Sequence, residues 1–344
     1  LGDVYKRQVD MFWNRDDLTR INTIHGVNLA QGIKEPIIYY QQDPDSLYIH
    51  AVKKAFADIR KYHGQPQGMY GADEALHGNK PTQGAELCSI VELMYSLESM
   101  LEITGDIQFA DHLEKLAFNA LPTQISDDFM TRQYFQQPNQ VMLTRHIHNF
   151  DINHGETDIV FGLLTGYPCC TSNFHQGWPK FVQNLWYATA DNGAGALVYA
   201  PSEVILDVAN GIPVKIVEKT CYPMNHVVTF DIEFLDKMTE SAFFPFHLRI
   251  PSWCRQAEIR INGTLYKKTS GNRTDIIKRE WKNGDTVELI LPMHIQISEW
   301  YENAVAIERG PLVYALKIGE KWMKKTVKDD PIRYCLLYTS PSPR

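Results

Sequence analysis

ELCSIVELMYSLESMLEI, residues 86–103, sets Ile90, Leu93, Met94, Leu97, Met100 and Leu101 on one stripe at about 3.6 residues per turn. The pattern stops at Thr104-Gly105-Asp106. Working outward, 45–62 (DSLYIHAVKKAFADIRKY) aligns Tyr48, Ile49, Val52, Ala55, Phe56 and Ile59 in the same way. A third amphipathic helix, 109–121 (FADHLEKLAFNAL), is ended by Pro122. Short turns between such helices make them antiparallel neighbours. From Pro122 to about Gln176 the chain is rich in Asn, Gln, His and Gly and shows few regular signals. A segment of that length is usually functional or disordered, and its aromatics (Phe129, Tyr134, Phe135, Phe150, Phe161, Tyr167) favour order. After Trp186 the period becomes two, in short runs at 196–200, 214–217, 226–234, 246–250, 258–261 and 286–291. Asn262-Gly263 and Asn283-Gly284 lie between such runs as hairpin signals. Helices followed by strands, not alternating with them, predict a multidomain α-then-β chain whose second part is an antiparallel β-sandwich.

Composition sets limits on function. The 344 residues are 44% hydrophobic and 22% charged, as in a folded soluble protein. No run approaches the roughly 18 apolar residues of a membrane-spanning helix. A formal charge of −7 argues against nucleic acid or an anionic membrane as partner. Residues 1–8 (LGDVYKRQ) and 335–344 (CLLYTSPSPR) resemble read-through of a sequencing adaptor and are set aside, so 9–334 is read as an internal fragment. The compartment is open between cytoplasm and periplasm. Without Cys335, five cysteines remain at irregular spacing, which argues against a disulfide framework.

The adjacent pair Cys169-Cys170 and the upstream Glu86-Leu-Cys88 are the sharpest chemical signal. Three thiolates at roughly 2.3 Å and a carboxylate oxygen at roughly 2.0–2.2 Å would suit Zn²⁺. Glu86 and Cys88 can face one centre only if the helix has barely begun there, since residues two apart on a helix point about 200° from each other. Buried cysteines lining a helix core remain the alternative. Asp73-Glu74, in the Gly-rich stretch 69–78, offers a carboxyl that Tyr70, Leu76 and His77 would keep partly protonated for acid catalysis; a solvated turn is the alternative. His146, His148 and His154 are spaced as metal ligands or as partners of carbonyls or a ligand. His25 falls in a helical pattern with Asn22, Asn28 and Gln31, readable as a polar cavity or as an exposed face.

Four segments together carry a family likeness: 24–32, Gly71-Ala-Asp-Glu74, Gly84-Ala-Glu-Leu-Cys88 and Gly166-Tyr-Pro-Cys-Cys-Thr-Ser-Asn173. In order and separation they resemble glycoside hydrolase family 127, the β-L-arabinofuranosidases, over residues 12 to about 330. The resemblance implies that 9–190 is the later part of a catalytic (α/α)6 barrel and 191–334 its β-sandwich. It implies hydrolysis of β-L-arabinofuranosides with retention, by a cysteine thiolate nucleophile and a glutamic acid. By position, Cys169 is the implied nucleophile and Glu74 the acid/base, with Asp73 as alternative. Glu86, Cys88, Cys169 and Cys170 are the implied Zn²⁺ ligands. His25, with Asp73, Tyr167 and His154, is expected to contact sugar. The expected partner is an arabinose-containing glycan, and a homodimer is an available assembly.

Two other readings compete. One is a polysaccharide lyase or two-carboxylate glycosidase with structural cysteines. The other is a non-catalytic carbohydrate-binding protein with an inert zinc knot.

Overall fold

The structure, a computed structural model, describes residues 2–140, 143–317, 319–325 and 333–339, with the backbone alone for 2–5 and beyond 318. Residues 1–313 form one unit and 314–344 another. In the second, Gly319–Lys325 pairs antiparallel with Arg333–Thr339. The C-terminal segment set aside in the sequence falls partly on that hairpin, and 340–344 lie outside the described residues. At the other end, the helix Gly2–Trp13 runs through the expected boundary at residue 8 and buries Val9 and Phe12.

The first unit is helical and then β-rich. Ser46–His63 starts where the Asp45 carboxylate accepts from the Leu47 amide, which satisfies one of the free N–H groups of the first turn. Leu87–Thr104 ends at Gly105, whose φ of 64° is the left-handed conformation that closes a helix. Ile107–Lys115 starts from Asp106 and widens over Leu116–Ala120, where the Leu121 amide reaches back to the Leu116 carbonyl. Asn119, in that widened turn, donates to the Pro311 carbonyl and accepts from the Val313 amide.

The long segment after Pro122 is irregular yet ordered by its aromatics: Tyr134, Phe135 and Phe150 are buried. Two features differ from expectation. The stretch 69–78 is not a loop but a hairpin, Gly71–Asp73 against Ala75–Gly78, with Glu74 at its tip. His25 does not lie within a helix; it precedes Gly26–Gly32 in extended conformation and caps it, Nδ1 accepting from the Asn28 amide.

Two sheets follow. The six-stranded one runs Thr264–Thr269, Ala257–Ile261, Thr286–Ile290, Val227–Phe234, Ile212–Thr220, Ser202–Val208, every neighbour antiparallel. The four-stranded one runs Arg273–Lys282, Ser241–Ile250, Ala194–Ala196, Trp186–Ala188. It contains one parallel pair, Ser241–Ile250 with Ala194–Ala196, so the expectation of purely antiparallel strands is corrected. Phe244, Phe246 and Leu248 of the small sheet share a core with Val228, Phe230 and Ile232 of the large one. Phe118 and Trp186 pack against both this core and the helical one.

Asn262-Gly263 makes the predicted tight hairpin, with φ of 50° and 77°. Asn283-Gly284 does not. It carries the chain from one sheet to the other, pinned by the Asn283 side chain accepting from the Phe234 amide. The run 196–200, expected as an alternating strand, is instead buried over 196–199 and leaves the ladder after Ala196, where its backbone serves buried charges. The Leu197 carbonyl takes Arg249 Nε, and the Tyr199 amide takes Glu114 Oε1.

Candidate active site

Two helix starts and one hairpin tip build the site. Ala85–Glu86 is a short strand, parallel to Gly71–Asp73 and antiparallel to Phe135–Gln136. The helix begins at the next residue, so Glu86 is extended and Cys88 lies in the first turn. That strand-to-helix junction lets both side chains reach one point. The second helix, Cys169–Gln183, starts at the double cysteine after Pro168 and packs on the first, Gly177 lying close to Val91. Both thiol groups therefore lie at helix N-termini, where the aligned peptide dipoles favour negative charge.

Donor atoms of Glu86, Cys88, Cys169 and Cys170 all lie within 4.8 Å of one another. Cys88 Sγ is 3.3 Å from Cys170 Sγ, and Glu86 Oε1 is 3.8 Å from Cys169 Sγ and 3.7 Å from Cys170 Sγ. Cys88, Cys169, Cys170, Cys221 and Cys254 are free thiols, in keeping with their irregular spacing. Cys169 is exposed; the other three donors are buried. Hydrogen bonds from Cys170 and Cys88 pull the Cys169 thiol far below its ordinary value, and the Arg132 guanidinium helps. The bond to Cys169 holds the proton on Cys88, and burial holds it on Cys170. Burial also pushes the Glu86 carboxyl up to about 7, with the Glu74 charge adding to it. Three thiols and a carboxylate, all buried but Cys169, are a donor set able to hold a metal ion.

Glu74 faces this corner from the hairpin tip, where its φ of 78° is a strained conformation for a residue with a side chain. Its backbone carbonyl accepts from the Gly26 amide, which ties the tip to His25. Three groups hold its carboxylate. Tyr134 Oη donates to Oε1 at 2.6 Å, His154 Nε2 is 3.1 Å from Oε1, and His25 Nε2 is 2.8 Å from Oε2. Burial pushes Glu74 up, but these bonds outweigh it and hold it below the usual carboxylate value. The same bond from Glu74 raises the His25 ring. Oxygens of Glu74 and Glu86 and a His25 nitrogen also fall within 4.8 Å of one another.

The other expected sugar contacts divide. Tyr167 is 57% exposed, with its ring 4.7 Å from that of His154. His154 is nearly buried behind Glu74. Asp73 is wholly buried and satisfied by His77 and the Asp151 amide, leaving it no face for a sugar. The rings of His146 and His148 lie against each other, tilted by 41° with centroids 3.8 Å apart, and join no metal-donor group among the described residues.

Sequence reasoning missed three residues. Tyr134 was read only as an ordering aromatic. Arg132 is 2% exposed and spends its guanidinium on the Thr165, Leu163 and Tyr167 carbonyls and on Thr171 Oγ1, clamping the loop that leads into Cys169. Asp158 is fully buried beneath His154. The spacing of four between His154 and Asp158 was the one available signal.

Comparison with known proteins agrees with this geometry. The chain matches the family model of the GH127 β-L-arabinofuranosidase catalytic domain over residues 6–183 and that of the GH127 middle domain over 196–293. It is 26% identical over 243 residues to a non-reducing end β-L-arabinofuranosidase of Bifidobacterium longum subsp. longum, covering 68% of this chain and 35% of the relative. In fold it is similar to a GH127 β-L-arabinofuranosidase from Geobacillus stearothermophilus T6, with a TM-score of 0.71, 19% identity, and coverage of 91% of this chain and 57% of that one. A further GH127 β-arabinofuranosidase structure gives a TM-score of 0.68 at 19% identity, covering 97% and 60%. The chain thus spans about a third of the length of its curated relative. With the catalytic-domain and middle-domain models matching in sequence order, the chain belongs to glycoside hydrolase family 127.

Proposed function

We propose that the full-length protein is a retaining β-L-arabinofuranosidase acting on arabinose-containing plant glycans. In this reading Cys169 is the nucleophile, Glu74 the acid/base, and Glu86, Cys88, Cys169 and Cys170 hold Zn²⁺. The helical region is then the later part of an (α/α)6 barrel and the β-rich region its sandwich, a reading supported by the helix-then-strand order.

One observation carries the proposal: three thiols and a carboxylate gathered within 4.8 Å, with Glu74 beside them. The donor set fits zinc. Around a tetrahedral ion, thiolate sulfurs at about 2.3 Å stand roughly 3.8 Å apart and a carboxylate oxygen at about 2.1 Å stands roughly 3.6 Å from each sulfur. Here one sulfur–sulfur separation is 3.3 Å and the Glu86 oxygen is 3.7 and 3.8 Å from two of the sulfurs. Bound zinc would keep its thiols ionised at neutral pH. Exposure supports Cys169 as the attacking sulfur, because it alone of the four donors reaches solvent.

His25 Nε2 lies 2.8 Å from Glu74 Oε2, within reach to hand it a proton. Glu74 passes that proton to the glycosidic oxygen as the C1–O bond breaks and its electron pair leaves on the oxygen. Cys169 Sγ forms the bond to C1 on the opposite face. Water then gives a proton to the Glu74 carboxylate and its oxygen to C1, and the C1–S pair returns to sulfur. The Glu74–Glu86 pair is also close enough to invite a two-carboxylate mechanism, but Glu86 is buried at 2% exposure and Cys169 is not.

The test is Cys169→Ser in the full-length protein with an aryl β-L-arabinofuranoside. Turnover falls by at least roughly 10³-fold if the sulfur is the nucleophile. Wild-type turnover by the variant would remove Cys169 from that role.

A further inference from the structure

The mechanism above leaves unused a fully buried carboxylate one layer behind the acid. Asp158 has no exposed surface, and among the described residues no Lys or Arg pairs with it. Its contacts converge on the two groups that hold Glu74 Oε1. Its Oδ2 accepts from the His154 backbone amide at 2.9 Å, and its Oδ1 lies 3.4 Å from His154 Nδ1. Neither Asp158 Oδ1 nor His154 Nδ1 has a hydrogen-bond partner elsewhere, and both are buried. Its backbone carbonyl accepts from the Tyr134 and Phe135 amides at 3.2 and 2.9 Å. The Tyr134 carbonyl in turn accepts from the Leu87 amide, at the start of the helix that carries Cys88.

We infer that Asp158 is a positioning residue for the acid: it fixes His154 with Nδ1–H toward itself, so that Nε2 and the Tyr134 hydroxyl together hold Glu74 Oε1 and leave Oε2 to serve the leaving group. The inference deepens the arabinofuranosidase reading and rests on it. A buried carboxylate without a cation is costly unless a donor faces it, and the His154 ring is the donor within reach. With Nδ1–H turned to Asp158, Nε2 holds the Glu74 carboxylate by carrying a hydrogen as well, so the ring bridges Asp158 and Glu74 as a double donor. His154, 9% exposed, and Asp158, wholly buried, act on substrate only through Glu74. Oε2 points instead to His25, whose side chain is 39% exposed and thus on the solvent side of the acid.

The reaction separates positioning from mere support of the fold. A leaving group that departs unaided, such as dinitrophenolate, needs little help from the acid; an alkyl alcohol needs all of it. In the full-length enzyme, Asp158→Asn, which keeps the size and the acceptor for the His154 amide, slows kcat on an alkyl β-L-arabinofuranoside roughly 10–100-fold. It changes the dinitrophenyl substrate less than about threefold and leaves KM nearly constant. Equal slowing of the two substrates, or no slowing of either, overturns the positioning role while leaving the proposed function intact. Failure of the wild-type enzyme to turn over either substrate overturns both. Should the variant not fold, the unsubstituted protein still decides the matter through the ring ¹⁵N shifts of His154. A ring with hydrogens on both nitrogens supports the inference, and a neutral ring overturns it.

Discussion

Two polar clusters lie inside the first unit, and they are built on opposite plans. Arg249, wholly buried on a β-strand, meets Asp111 and Glu114 of the helix Ile107–Lys115. Glu114 also takes the Tyr222 hydroxyl and the Tyr199 amide, and Asp111 takes the Ser252 amide. Cation, anions and hydrogen-bond donors are all supplied by the chain, so the cluster is complete as a joint between helices and sheets. The cysteine corner gathers three thiols and a carboxylate, all groups that become anions, on one point. The Arg132 charge lowers the Cys169 thiol, but its guanidinium spends its donors on carbonyls and a hydroxyl. The difference teaches what each is for. One cluster satisfies itself and belongs to stability, whereas the other gathers groups that could hold a metal ion.

Perturbing each cluster sharpens the contrast. The largest effect falls on chemistry: Cys169→Ser removes at least roughly 10³-fold of turnover, equivalent to about 4 kcal/mol, as read by steady-state kinetics. Arg249→Met strands the buried Glu114 carboxylate and the half-buried Asp111 and costs about 3–5 kcal/mol of stability. Calorimetry or denaturant melts will show it, while the metal-binding stoichiometry of the folded fraction stays unchanged. If Arg249→Met leaves stability unaltered, the helix–sheet joint has been misread.

A smaller, pH-dependent effect comes from Glu98 on the helix Leu87–Thr104. Burial raises its carboxyl from 4.5 to about 8, partly offset by the Lys180 charge. Between those values the folded state keeps a proton that the unfolded state releases, so stability falls as pH rises across that window. Glu98→Gln abolishes this slope. The variant should gain about 1–3 kcal/mol over wild type at pH 8 and nothing at pH 4. Parallel melts at both pH values check it, and an equal change at both would refute the assignment.

Much of this contrast was legible in the sequence, but unevenly. The helices at 45–62 and 86–103 were readable because apolar spacing and capping residues agree, and Cys169-Cys170 with Glu86 and Cys88 because few arrangements bring such residues into one chain. The hairpin at 71–78 was not readable. Its strands are three and four residues long, and register there is set by tertiary partners such as Ala85 and His25. Arg249 was also invisible as a joint, since its partners lie over a hundred residues away. The roles of Tyr134, His154 and Asp158 arise where an irregular segment folds over Glu74, and no periodicity encodes that. Asn283-Gly284 misled because turn chemistry specifies a tight turn but not which strands it joins.

The account stands or falls on whether Glu86, Cys88, Cys169 and Cys170 close around one ion. Metal analysis with zinc K-edge absorption on the full-length protein tests it directly. The expected result is one zinc per chain with three sulfur neighbours at about 2.3 Å and one oxygen at about 2.0–2.2 Å, lost in Cys170→Ser. A protein that is active without stoichiometric metal, or whose zinc has no sulfur neighbour, would contradict it.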